Sequence, residues 1–133
     1  EPFSQISPLT LKDISTSGTV ALCKYNRLMM ISPGSLIRGY AWMDTLSHEY
    51  IHYLLTRSSH NTVPLWLHEG LAKYFETVWR GNPEPLHPIM ETILARGLAN
   101  DHLIDLQDMM PSLAKLKTAE DVHLAFGVVY TMV

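Results

Sequence analysis

Two histidines flank a glutamate in the string His48-Glu49-Tyr50-Ile51-His52. On a helix a separation of four puts both imidazoles on one face, one turn apart, so both can reach a single ion at about 2.0–2.1 Å. Glu49 leaves the helix about 100° to the side. It is badly placed as a third ligand and well placed to take a proton from water at that ion. At this histidine and glutamate content the string arises by accident in about 2% of such chains, so the residues around it must decide. Trp42, Leu46, Tyr50, Ile51, Leu54 and Leu55 wrap the same stretch in apolar surface. Polar groups buried among them without partners would cost several kcal/mol. A metal in a solvent cleft removes that conflict.

A hydrolytic zinc site takes three protein ligands and one open position. The best candidate for the third is Glu69, separated from His52 by sixteen residues, in Pro64-Leu65-Trp66-Leu67-His68-Glu69-Gly70-Leu71-Ala72-Lys73-Tyr74-Phe75-Glu76. Read alone, Glu69, Lys73, Glu76 and Arg80 make a charged stripe opposite a core face of Leu67, Leu71, Tyr74, Phe75 and Val78, the pattern of a solvated face with ion pairs. Gly70 argues the other way. A glycine inside an exposed helix costs about 1 kcal/mol against alanine, so its place suggests close approach by another backbone, expected to be the His48 and His52 helix.

The paired strings, His48-Glu49-x-x-His52 and Trp66-Leu67-x-Glu69-Gly70-x-Ala72-x-Tyr74, resemble the gluzincin zinc metallopeptidases, and among them the peptidase MA-like group. The likeness is densest over Asp44 to Glu76. It implies a zincin-like domain with one zinc per chain bound by His48, His52 and Glu69, and Glu49 as general base and acid. It also implies an oxyanion donor on the last helix, for which Tyr130 is the nominee; the plain alternative is a core tyrosine with a bonded hydroxyl. Relatives of this kind are often bacterial envelope or secreted proteins. The Gly-x-Met-Glu-Asn segment with which aminopeptidase branches hold a substrate amino terminus is absent, which favours an endopeptidase.

Metal-bound imidazoles hand their second N–H to an acceptor. Glu76 is the preferred acceptor and Asp44 the other candidate, while an ion pair with Lys73 is the bland account of Glu76. His68 points about 100° from Glu69 and is not expected to share the ion. His60, His87, His102 and His123 lack paired spacing and read as ordinary histidines.

The elements that must position these residues are marked by glycine, proline and capping side chains. Apolar runs at Thr19–Leu22 and Leu28–Ile31 suggest a hairpin, and the run Arg27–Ser32 is a candidate edge for an extended peptide. Tyr40–Thr56 lacks glycine and proline and carries apolar residues on nearly every side, which predicts a mostly buried helix. Pro64–Arg80 predicts a second helix, Pro88–Arg96 a third that stops before Gly97, and Leu106–Leu113 a short one. Thr118 is a candidate N-cap for the last, with Asp121 three residues on. Apolar residues are still arriving at Val133, which reads as a candidate truncation of the domain.

A length of 133 residues fits one domain, 1–133, with about two-thirds of its surface buried on folding. With 47% hydrophobic and 17% charged residues the chain reads as globular, without a membrane span. Net charge −3 and the lack of any Lys/Arg run argue against nucleic acid as a partner. A lone Cys23 rules out an internal disulfide, and Glu1–Leu11 has no apolar core of a signal peptide. The expectation is an α+β, helix-rich domain with a small N-terminal sheet on two central helices, hydrolysing peptide or protein substrates with zinc. The rival is a non-catalytic peptide- or protein-binding module with a structural or degenerate zinc site; weaker still is a helical interaction domain with no metal.

Overall fold

In the computed structural model, which describes residues 12, 15, 17–24 and 26–133, the apolar runs near the start pair as a hairpin. Strands β1 (Ala21–Lys24) and β2 (Arg27–Met30) run antiparallel, in register from Ala21 opposite Met30 to Lys24 opposite Arg27. The ladder reaches the polar residues Lys24 and Arg27, beyond the apolar runs that predicted it, because backbone groups pair whatever side chain they carry. Asn26 closes the connection at φ 56°, in the left-handed region that asparagine tolerates.

Four helices follow: α1 (Trp42–Ser59), α2 (Leu65–Phe75), α3 (Pro88–Ala99) and α4 (Ala119–Met132), with single 3-10 turns at Pro33–Ser35, Val78–Arg80 and Leu113–Lys115. The architecture is α+β and helix-rich, and α1 packs against both strands and against α2. Local chemistry sets several boundaries. Thr118 accepts a hydrogen bond from the backbone N–H of Asp121 at 3.0 Å, the expected cap of α4. His87 caps α3 through Ile89 N–H, and His60 ends α1 at φ 52°. No helix among the described residues is long and apolar enough to cross a membrane.

The core lies on the C-terminal side. Met109, Leu113, Ala125 and Val129 are 0–2% exposed, and Trp66 and Phe126 pack against them. Helix α4 is its axis, touching α2 on one side and α3 on the other.

Several expectations change here. Helix α1 has no fully buried residue, and Trp42, Tyr50 and Leu54 stand 47%, 48% and 40% exposed. Its packing partners are the hairpin and α2, which together do not enclose a helix whose apolar residues run round every side. Helix α2 stops at Phe75 rather than continuing to Arg80, and the supposed core residues Phe75 and Val78 are 38% and 36% exposed. Its buried residues are His68, Gly70 and Ala72.

Gly70 does answer to a close backbone, but the neighbour is α4. A Cβ there would lie 2.6 Å from the Val129 carbonyl oxygen. Gly97 does not stop α3, because it too serves an approach: a Cβ would meet the His102 carbonyl at 2.7 Å. The short helix expected over 106–113 does not form. Pro111 supplies no N–H there, and Ser112 instead caps the 3-10 turn through Ala114 N–H at 3.2 Å.

Candidate metal centre

Helix α1 carries His48 and His52 on successive turns, and their Nε2 atoms lie 3.1 Å apart. From α2, the Oε2 atom of Glu69 comes within 3.6 Å of His48 Nε2 and 3.5 Å of His52 Nε2. A tetrahedral ion with bonds of about 2.0–2.1 Å has ligand-to-ligand edges of about 3.3–3.4 Å. The triangle of 3.1, 3.5 and 3.6 Å is close to that size, so by their spacing the three residues could hold one ion. The charged-stripe account of Glu69 gives way: its side chain is 15% exposed and turned to the histidines, because α2 presents this face to α1 rather than to solvent.

Glu76, one of the two acceptors weighed from the sequence, meets His48 Nδ1 with its Oε2 at 3.1 Å. Lys73 holds the other oxygen of Glu76, so the ion pair and the histidine contact coexist. Asp44 is engaged elsewhere: it accepts from Trp79 Nε1 at 2.8 Å and pairs with Arg80, tying the start of α1 to the turn after α2.

The charges respond to this crowding. Burial opposes protonation of His48, yet the facing Glu69 carboxylate and the hydrogen bond to Glu76 outweigh that and lift its pKa to about 9. Burial alone would raise Glu69, but the two histidines hold its carboxyl well below the usual range. For Glu76, contacts with His48 and Lys73 likewise overcome burial and lower the pKa. Glu49 moves up, since burial, reinforced by the charge of Glu69, exceeds the pull of the histidines. A carboxylate made more basic in this way is a better proton acceptor.

The triangle opens on a cleft of about 620 Å³, lined by Glu49, by Thr19 to Cys23 on and before β1, and by Leu65, Leu113 and Phe126. The strand at its wall is β1, not the expected run Arg27–Ser32. Ile31 N–H donates to Val20 O at 2.9 Å. Ladder alternation then turns the backbone groups of Ala21 and Cys23 away from β2. Cys23 N–H meets the Glu49 carboxylate.

Tyr130 is not brought to the triangle. Its hydroxyl donates to the Glu84 carbonyl at 3.2 Å, and its ring rests against Tyr74 with centroids 5.9 Å apart. One turn earlier, α4 offers the cleft Phe126, whose ring centre lies 6.1 Å from that of His48. The two positions share a face of α4 about one turn apart, so the placement of α4 along its axis, rather than its rotation, decides which of them reaches the site.

The residue that sequence reasoning set aside is His68. It is 8% exposed, and its ring meets that of His52 edge to edge, with centroids 5.5 Å apart and planes 20° off parallel. Nδ1 of each ring faces the other at 3.2 Å. Burial, and then the neighbouring His52, lower its pKa. The one signal available in the sequence was its place beside the candidate ligand, which does not distinguish a contact with His52 from a surface position.

Comparison with known protein families, with curated protein sequences and with solved structures gave no match.

Proposed function

We propose that the chain is a zinc-dependent peptide hydrolase, acting on internal bonds of an extended peptide or protein. The observation that carries the reading is the triangle of His48, His52 and Glu69 at ion-binding size, with Glu49 beside it in an open cleft. Bound there, zinc would supply Lewis-acid polarisation and lower the pKa of water.

The remaining work falls to residues of the chain. Glu49, made more basic by burial, accepts a proton from the attacking water and returns it to the departing amine. Its contact with Cys23 N–H holds the carboxylate at the cleft wall. The outward backbone groups of β1 that Glu49 does not engage, Ala21 N–H and C=O and Cys23 C=O, offer an edge on which an extended substrate adds as a further strand. The described cleft lining has no Lys or Arg to take a terminal carboxylate, which supports internal cleavage over removal of C-terminal residues.

Glu49→Gln tests this directly. The variant should keep zinc and lose cleavage of an unstructured peptide; cleavage at the unaltered rate would remove the mechanism. A second reading is a non-catalytic peptide-binding module with a structural zinc. The engagement of Tyr130 by Glu84 favours it, because α4 then contributes Phe126 and no hydroxyl at the site. Zinc-loaded wild-type protein that binds unstructured peptides and leaves them intact would establish the second reading.

A further inference from the structure

His52 has its Nε2 committed to the triangle, where an ion needs an unprotonated nitrogen. Its proton must then sit on Nδ1, and the partner within reach of Nδ1 is Nδ1 of His68 at 3.2 Å. Two ring nitrogens that face each other at that distance share one proton, so His68 must accept. The proton of His68 is thereby confined to Nε2. That atom is buried and is the buried side-chain polar atom, among the described residues, that lacks a hydrogen-bond partner.

The orphan is informative because a phenylalanine would fill the same buried place without leaving a buried polar atom. The second histidine nitrogen is left unsatisfied, and the first meets the ligand ring. Glu76 does the corresponding work for His48, whose Nδ1–H it accepts at 3.1 Å. The two ligand histidines therefore have different outer partners, a carboxylate for one and a neutral ring for the other.

We infer that His68 is a positioning residue for the metal site: by accepting the Nδ1 proton of His52 it fixes that ring's tautomer and rotation, and holds Nε2 toward the ion. The inference rests on the zinc-site reading above. It adds that the residue immediately before Glu69 serves the opposite helix, so α2 supplies one ligand of its own and orients another on α1.

The test compares zinc dissociation constants, by chelator competition, for the full chain and two variants. His68→Phe keeps an aromatic ring and removes the acceptor; His68→Asn removes the ring and places an amide oxygen near the position of Nδ1. The expected result is a 10- to 100-fold weaker zinc affinity for His68→Phe, in the range known for lost outer partners. His68→Asn should stay within about threefold of wild type, because the acceptor is retained. Nitrogen-15 spectra of the zinc-loaded wild type should place the imidazole protons on His52 Nδ1 and His68 Nε2, which covers the case in which His68→Phe does not fold.

Equal zinc affinity in all three proteins, equal loss in both variants, or a proton on His68 Nδ1 would each overturn the inference while the zinc site stands. A wild-type chain that holds no zinc would remove the site reading and this inference together.

Discussion

The two sides of α2 have opposite characters. Toward α4 it is packed as an interior: Gly70 lies against the Val129 carbonyl and Ala72 is fully buried. Toward α1 it presents Glu69 and, at its C-cap, Glu76, both partly exposed and both facing histidine nitrogens. One helix thus anchors in the core and carries polar groups into a cleft. The difference teaches that a charged stripe on a helix need not be its solvent face. It can be the face that a second helix, itself poorly buried, comes to meet.

That contrast can be broken from either side. The largest effect should come from the packed side. Met109→Ala, at a fully buried position in the core, should cost about 3 kcal/mol of global stability. Denaturant unfolding measures it, and zinc affinity at 25 °C should stay as in wild type. A loss of affinity in parallel would mean that core and cleft are a single unit.

Next is the polar side. Glu69→Ala should weaken zinc binding by more than about 100-fold, beyond the range for an outer partner, which is about 2.7 kcal/mol or more of binding energy. Metal retention through gel filtration with a competing chelator reads this out. Retention at the wild-type level would restore the solvated-stripe account of Glu69.

The smallest effect is a pH profile of the metal-free protein. His48 rises from 6.5 to about 9 on folding, so its stabilising contribution is complete below 6.5 and disappears as pH climbs through about 9. Glu69 and Glu76 are lowered from 4.5, so theirs is present above 4.5 and disappears as pH falls. Glu49 is raised and acts in the same direction as His48. Thermal melts with chelator should therefore decline between pH 6.5 and 9. With zinc the alkaline decline should vanish, since the ion replaces the shared proton. The same alkaline decline with and without zinc would show that the triangle is not where the ion binds.

Legibility in the sequence followed the range of the interaction. The start of α4 was readable because Thr118 and Asp121 lie within one turn and their hydrogen bond needs no third party. Proline and glycine were less dependable. Pro111 removed a helix that its apolar neighbours suggested, and Gly97 ended nothing because a carbonyl from the following loop needs the space. The apolar wrap of α1 was read as burial, yet no packing partner covers Trp42, Tyr50 and Leu54.

By itself the sequence determined what a single helix imposes. His48 and His52 must share a face and Glu49 must stand to one side, since 3.6 residues per turn allows nothing else. Tertiary structure alone decided that Glu69 meets those histidines, that Gly70 answers to α4, that β1 walls the cleft, that Phe126 reaches it in place of Tyr130, and that His68 meets His52 through their Nδ1 atoms. The reason is geometric. Helical periodicity sets angles within an element, whereas the rotation and axial position of one element against another are settled by packing over the whole chain.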